Sequence, residues 1–568
     1  MESPDHSQLR QNAVYSREAV EALIAEGRTI IIVDDKVLKV DAWLKYHPGG
    51  DKAIMHMVGR DATDEVTALH SLEARQRMMS YKIGRIEGLW TNFVPPIQGG
   101  KFRTREEQAS AIRPSTEKSE ESDEGSEEPS PIFDAVEHPT STSVYRRRQT
   151  GSASYTRSSS ATSISSVELN ESSKKPEMSH VDIQTGHVLD LDAFEYPPLD
   201  PQIQADIVQK YRVLNERIKA EGLYQCHYSN YLREVVRYTL LFSASMLLLY
   251  WKWYIASAAF LGMFWHQLVF SAHDAGHMGI THNFTYDTII GIVIADFIGG
   301  LSLGWWKRNH NVHHIVTNSP EHDPDIQHVP FFAVSPRFFE SLRSTYYDRV
   351  MHYDIFAKFL IRYQHHLYFP VLCFGRFNLY ANSYTYLLSG QAPRKGPAWW
   401  TRWLEMAGIL FFWTWFGYGI LYCTVPTGWQ RFAYLMVSHM VTMPVHAQIT
   451  LSHFAMSTKD CGPAESFPQK MLRTTMDIEC PPWLDFFHGG LQFQAVHHLY
   501  PRIPRHNLRK TQKLIQEFCN EVGIPYALYG FVDGNKQVIG RMADVGRQAK
   551  ILAECQKQIA KSADWGMH

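Results

Sequence analysis

Apolar positions are spread very unevenly along this chain. Two long runs, 235–250 and 254–272, are separated only by Trp251, Lys252 and Trp253, and a second pair, 404–425 and 431–451, is joined by a short turn holding Pro426, Gly428 and Trp429. Each run approaches the roughly 20 residues that a bilayer core demands, which predicts four transmembrane helices in two hairpins. The run 289–303 is shorter and interrupted by glycines, so it predicts an interfacial or re-entrant helix. Upstream, residues 1–95 alternate short apolar runs (29–33 and 37–40) with helical patterns and turn signals, as a small α+β domain does. Between the two lies a segment rich in Ser, Glu and Pro, with an acidic run over 117–128 and the triplet Arg146, Arg147, Arg148. Such a composition cannot bury enough apolar surface to offset the entropy of ordering, which predicts a disordered linker. The expected organisation is multidomain: a small α+β domain over 10–92, a disordered linker over 100–185, an all-α membrane domain over 190–545 and a C-terminal tail over 546–568. Beyond Arg502 the pattern mixes helix and strand and carries no legible chemistry.

Composition sharpens this picture in three places. The 56 basic and 58 acidic side chains nearly cancel, so no global attraction to nucleic acid is expected. A mean hydropathy of −0.27 averages a very polar segment with very apolar ones and hides the latter. Seven cysteines, an odd number with no Cys-x-x-Cys pair, argue against a disulfide framework and against a cysteine zinc site, and suit reducing surroundings. The N-terminal residues lack a basic segment followed by an apolar one, so no cleaved signal peptide is expected. The tight turns between spans carry little charge (Lys252, Arg431), whereas the segment between hairpins holds Lys307, Arg308, Arg337, Arg343 and Arg349. The positive-inside bias therefore puts that segment, the linker and both termini in the cytosol.

Candidate chemistry begins at His47-Pro48-Gly49-Gly50-Asp51, after a Trp43-containing segment, with His70 further on and Leu44, Ile54, Val58, Val66 and Leu69 around them. Two histidines near turns in a small domain can close on a flat ligand from both faces, and the glycines permit close backbone approach. Taken alone, the first motif is equally a turn beside unrelated surface histidines. With His70 at this distance and Gly59-Arg60-Asp61-Ala62-Thr63 between, residues 12–90 resemble the cytochrome b5 family. The resemblance implies haem b with His47 and His70 as axial ligands, an arrangement that passes electrons but leaves no position for oxygen.

Three further histidine clusters stand at helical spacing beside apolar segments: His273 and His277, then His310, His313 and His314, then Gln494, His497 and His498. Positions i, i+3 and i+4 share a helix face, so each cluster aims its side chains at one point. Neutral imidazole suits iron, zinc, copper or nickel, and imidazoles at a bilayer are costly unless coordinated or paired. Seven box histidines exceed one tetrahedral zinc site and suit two metals; the Glu-x-x-His pairs of ferritin-like di-iron proteins are absent.

The order HxxxH, HxxHH, QxxHH resembles the membrane fatty-acyl desaturases, and Gln494 together with a fused N-terminal cytochrome b5 module is similar to their front-end subgroup. Thr317-Asn318 and His322-Asp323-Pro324-Asp325 add to the match, and residues 451–508 look most like fungal sphingolipid Δ8 desaturases. The resemblance implies two non-haem irons held by His273, His277, His310, His313, His314, His453, His497 and His498; Gln494 either ligates iron or hydrogen-bonds a neighbouring imidazole. It also implies an O2-dependent desaturase of sphingolipid or ceramide long-chain bases, fed by electrons from NADH through cytochrome b5 reductase and its own haem domain, in the endoplasmic reticulum membrane. Asp274 and Asp323 are expected to orient imidazoles, Trp305 and Trp306 to line a mouth or form an aromatic belt, and Gln364-His365-His366 to be an interfacial pair. Alternatives on the same residues are a front-end fatty-acyl desaturase, a lipid hydroxylase on the same di-iron scaffold, a zinc-dependent membrane amide hydrolase, and a tethered electron carrier whose histidines are structural.

Overall fold

A computed structural model describes residues 13–112 and 195–565. Most of the expected linker (113–185) and the edges of the expected domains at 10–12, 190–194 and 566–568 lie outside the described residues.

The N-terminal domain is built on a four-stranded sheet of β1 (Val14–Tyr15), β2 (Ile30–Val33), β3 (Lys36–Lys39) and β4 (Lys82–Ile86), in the order β1-β4-β3-β2. The β2–β3 hairpin turns through Asp34 and Asp35, both at positive φ, as a tight hairpin between right-twisted strands requires. Helices α1 (Arg17–Ala25), α2 (Asp51–Met55), α3 (Thr63–Leu69) and α4 (Leu72–Met78) surround the sheet, α1 and α4 being capped by the Ser16 and Ser71 hydroxyls. A further helix, α5 (Arg105–Ile112), continues this domain, and Arg103 just before it pairs with Glu21 of α1 at 3.0 Å. The linker expected from residue 100 is thus ordered up to 112, because this pair and Phe102, packed on Phe93, tie it down.

The rest of the described chain is mostly helical, with two small two-stranded sheets, Arg343–Ser344 with Arg349–Val350 and Asp477–Glu479 with Leu528–Gly530. In order, α6 (Pro201–Ala220), α7 (Tyr228–Tyr250) and α8 (Tyr254–Gly276) are followed by α9 (Phe284–Ile292), which widens to a π-helical turn through Ile298, and by α10 (Leu303–Ile315). Then come α11 (Ile355–Arg362), α12 (Gln364–Leu372), α13 (Gly375–Leu388), α14 (Thr401–Phe412) with its π-helical extension to Thr424, α15 (Gly428–Met440) and α16 (Met443–Phe454). The chain closes with α17 (Phe467–Thr474), α18 (Asp485–His488), α19 (Gln494–Leu499), α20 (Leu508–Val522) and α21 (Phe531–Trp565).

Among the described residues two helices are long and apolar enough to cross a membrane, α8 and Thr401–Thr424, or three if the bent pair Phe284–Ile298 and Leu303–Ile315 counts as one broken span. That pair, which covers the run 289–303 where an interfacial or re-entrant helix is expected, is bent by 116°, the shape of a broken span or of a re-entrant loop. The other two expected spans differ in detail. Tyr, Thr and Ser positions dilute α7, and the run 431–451 is broken between α15 and α16, where Pro444 lacks the N–H that a continuous helix needs. The tail expected from 546 is the second half of α21, which runs through without interruption; its Val538, Met542, Val545 and Ala549 pack with Ile361 and Tyr368 of α11 and α12.

Described residues 13–110 and 195–565 belong to one compact unit. Ile31, Leu38, Ala53, Met57 and Val66 of the N-terminal domain share a buried cluster with Val312, Ile315 and Val316 at the end of α10. Around it Arg308 meets Asp51 at 2.9 Å, Lys52 meets Asp348 at 2.8 Å, Arg212 meets Asp64 at 2.8 Å, and Arg502 donates to the His70 carbonyl at 2.9 Å.

Candidate metal centre and haem site

His47 follows a short 3₁₀ turn and His70 caps the end of α3, and their rings face one another with centroids 5.9 Å apart and planes tilted by 32°. His47 Nδ1 bonds the Gly50 carbonyl at 2.7 Å and His70 Nδ1 the Val66 carbonyl at 3.3 Å, so each Nε2 is left for the space between the rings. That gap takes two metal–nitrogen bonds of about 2 Å each plus the two half-rings. Burial in this apolar pocket lowers His47 and pulls His70 down to about 3, His47's ring adding to the effect, so both imidazoles stay neutral and able to ligate. The residues fit a haem. Trp43, Val40, Leu69, Met78 and Tyr81 line one side of the pocket, and Gly276, His277, Met278, Lys307, Asn311 and Ile315 of the helical domain line the other.

Immediately behind that second wall stand the imidazoles of the three clusters. His273, His277, His310 and His497 form one group and His313, His453 and His498 a second; within each, the candidate ligand atoms lie within 4.8 Å of one another. His314 stands between them, its Nε2 3.1 Å from that of His310 and its ring stacked 4.3 Å from that of His498. All eight histidines expected as ligands are thus brought together from α8 and its cap, α10, α16 and α19. Gln494 opens α19, buried, one turn before His497 and His498. Gln364-His365-His366 stays outside both groups: Gln364 is spent on the backbone of Ala333 and Met542.

The cluster also meets a chemical test for a metal. His273 Nε2, His277 Nε2, His497 Nε2 and His498 Nε2 are buried with no hydrogen-bond partner, a state that native interiors rarely tolerate and that coordination would satisfy. Burial, reinforced by facing imidazoles, pushes His497 and His498 well below the ordinary histidine range, which keeps their lone pairs available. The opposite nitrogens are held: His313 Nδ1 by Asp323 Oδ2 at 2.8 Å, His453 Nδ1 by the Thr474 carbonyl at 3.4 Å, His498 Nδ1 by the Thr317 hydroxyl at 3.4 Å. An all-nitrogen donor set of this size fits two first-row metals.

Three side chains play parts that sequence reasoning missed or misread. Asp325 lies 3.7 Å from His310 and 3.8 Å from His313; burial opposes its ionisation, but those imidazoles outweigh burial and hold the carboxyl below its usual range. Trp306 also walls the histidines: its ring stacks on His310 at 4.5 Å and meets His273 and His277 at 5.3 Å, and only glycine fits at 276 beneath it, since a Cβ there would lie 2.1 Å from the indole. Asp274 stays 3.8 Å from His273 and instead takes hydrogen bonds from Tyr231 and Arg505, whose guanidinium also pairs with Glu234. It straps α7 and α8 to the segment after α19 rather than orienting an imidazole.

Comparison with known proteins agrees with both halves of this site. Residues 250–530 match the fatty acid desaturase family model and residues 16–87 the cytochrome b5-like heme/steroid binding domain. Similar proteins include the Delta 8-(E)-sphingolipid desaturases of Emericella nidulans, 61% identical over 98% of this chain and 99% of that one, and of Kluyveromyces lactis, 49% identical over 97% and 96%. A Delta(8)-fatty-acid desaturase 1 of Arabidopsis thaliana is 38% identical over 64% of this chain and 79% of its own. With two histidine groups at the end of apolar helices and a haem-type pocket against them, the chain belongs to the fatty acid desaturase family and carries its own cytochrome b5-like domain.

Proposed function

We propose that this protein is an O2-dependent desaturase that introduces the Δ8 double bond into the long-chain base of sphingolipids or ceramides, using electrons that reach it through its own haem domain. The observation that carries this reading is the shared wall: His277 belongs at once to the histidine cluster and to the lining of the pocket between His47 and His70. The relatives' names supply the substrate class, since fungal proteins 49–61% identical over nearly the whole chain are Delta 8-(E)-sphingolipid desaturases.

His273, His277, His310, His313, His314, His453, His497 and His498 would hold two irons, with Gln494 either as a further ligand or bonded to a neighbouring imidazole. Bound iron supplies the activation of O2 and the removal of hydrogen from an unactivated C–H bond, which no side-chain base can do. The protein's own groups do the rest. Asp323, the Thr474 carbonyl and the Thr317 hydroxyl fix the tautomers and ring orientations of His313, His453 and His498. Trp306 walls one side of the cluster, its ring stacked on His310. Val66 and Gly50 carbonyls hold the two haem-facing imidazoles in the donor-ready tautomer. Electrons enter from NADH through cytochrome b5 reductase, and four spans hold the enzyme in the endoplasmic reticulum membrane with haem and histidines on the cytosolic side.

The test is lipid analysis after expression in a yeast that lacks long-chain-base desaturation. New mono-unsaturated long-chain bases, lost on His498→Ala and on His47→Ala, are expected. Unsaturation in fatty-acyl chains alone overturns the substrate, and a hydroxylated lipid without a new double bond overturns the reaction.

A further inference from the structure

Beyond the imidazole clusters, the helical domain buries a second group of polar side chains that the reaction does not use. His266 and Gln267 on α8 and Gln448 on α16 are 5%, 5% and 3% exposed. Gln267 Nε2 donates to His266 Nδ1 at 3.3 Å, so His266 carries its proton on Nε2, and that N–H has no partner. Gln448 Nε2 is held by His488 Nδ1 at 3.2 Å and by the Phe487 carbonyl at 3.4 Å, which leaves its Oε1, like that of Gln267, without a partner. The His266 ring stacks on Phe487 at 5.1 Å, so His266 and Gln448 face the same short segment. One free N–H and two free carbonyl oxygens at such depth are a costly arrangement unless a ligand completes them.

We propose that His266, Gln267 and Gln448 hold the polar end of the lipid substrate, an N-acylated long-chain base, and so set which carbon meets the metal centre; this rests on the function proposed above. The chemistry is complementary. The His266 N–H matches the oxygen of the C3 hydroxyl of an N-acyl long-chain base, and the two glutamine oxygens match that hydroxyl's proton and the amide N–H. The spacing agrees. His266 and His273 are seven residues apart on one face of α8, a rise of about 10 Å. Five carbon–carbon bonds separate the hydroxyl-bearing C3 of a long-chain base from C8, a reach of roughly 6–7 Å for bonds of about 1.5 Å, and one hydrogen bond of about 3 Å at the polar end makes up the remainder. What lies between is apolar: Phe270, one turn on from His266, packs with Val445 and Leu491, as the methylenes between amide and reacting carbon require. The neighbouring segment also exposes Trp483 and Phe486, apolar side chains suited to a membrane surface from which a lipid enters.

The test compares the purified, iron- and haem-loaded enzyme with Gln448→Leu and Gln267→Leu, which keep side-chain size and remove the free oxygens together with the amide N–H groups that meet His488 and His266. Binding in detergent is measured for a short N-acyl long-chain base and for a fatty acid methyl ester of equal chain length, alongside product analysis. Expected is at least a tenfold loss of affinity for the amide lipid alone, at unchanged iron content and haem spectrum, with a double bond that is lost or displaced from C8. Unchanged affinity in both variants overturns the inference, as does an equal loss for both lipids. A variant with low iron content is set aside, and the other, on a different helix, decides. If the wild type binds the amide lipid through these residues but puts no double bond into it, the function proposed above falls and the binding site stands.

Discussion

His313 is the only imidazole in either group whose outer nitrogen meets a carboxylate at hydrogen-bond distance, Asp323 Oδ2 at 2.8 Å, and Asp323 is completely buried. The carboxylate also accepts from the Asn318 backbone N–H at 2.7 Å, so it joins the end of α10 to the turn that follows. Changing it to an amide keeps the volume but ends the fixed direction of the proton between the Asp323 carboxylate and the His313 ring. Asp323→Asn is therefore expected to lower iron retention by 10- to 100-fold, the usual effect of losing such a partner, with the haem spectrum unchanged; iron per protein after dialysis against a chelator measures it. Gly276→Ala acts on the same centre from the other side. Its Cβ would stand 2.1 Å from Trp306, whose ring must then leave its stack on His310. Reduced iron content and activity at intact haem content are expected, and metal analysis beside the haem absorbance reads both.

The elements differ in how much of their role is visible in order of residues. The imidazole sets are legible because a helix converts spacings of three and four into one face, and the axial pair because His47 and His70 lie within one small domain. What escapes is set by contacts distant in sequence. Helix α10 turns His310, His313 and His314 to the metal groups and Val312 and Ile315 into the core of the N-terminal domain, and its own periodicity cannot say which partner covers which face. Arg505 is equally silent in sequence, yet it is buried between Glu234 of α7 and Asp274 of α8. Arg505→Met removes the buried cation shared by Glu234 and Asp274, leaving Glu234 to Tyr238 and His506 and Asp274 to Tyr231, at a cost of up to about 3–5 kcal/mol, visible as a fall in thermal midpoint. Asp477, at the start of the strand before α18, accepts from the Ala495 N–H at 2.8 Å and from Gln512 and Tyr526. Burial is the largest influence on it and raises its carboxyl from 3.8 to about 6 against those donors. Between these values the folded chain holds a proton that the unfolded chain has released, so stability from this group is full below pH 4 and falls as pH rises to 6, by roughly 3 kcal/mol. Asp477→Asn carries no such titration. Its thermal midpoint is expected to gain on that of the wild type between pH 4 and pH 7, and parallel melts across that range check the sign.

In the whole molecule, the decisive arrangement is the haem pocket closed by the helical domain. An N-terminal domain alone leaves the pocket between His47 and His70 open on one side, whereas here Lys307, Asn311 and His277 form the far wall. The apolar contact of Val312, Ile315 and Val316 with the N-terminal core supplies adhesion without direction. Direction comes from the ring of charges: Arg308 with Asp51, Lys52 with Asp348, Arg212 with Asp64. Of these, Arg308 is the one on α10 itself; its side chain also lies against Gly50, beside the His47 motif, so it sets the distance between haem pocket and histidines. Arg308→Glu places two carboxylates together at Asp51 and is expected to slow electron transfer from reduced haem to the metal centre by about tenfold or more, with haem and iron contents unchanged. Asp51→Arg alone should do the same through two facing cations. The double variant restores opposite charges in reverse order and is expected to recover most of the rate, since the coupling belongs to the pair and not to either residue. Stopped-flow reoxidation of the reduced haem in air-saturated buffer with lipid substrate present measures all three. Equal rates in the single variants and the wild type would mean that this charge pair does not govern the transfer, whereas slow singles with a fast double variant identify the docked geometry as the one that turns over.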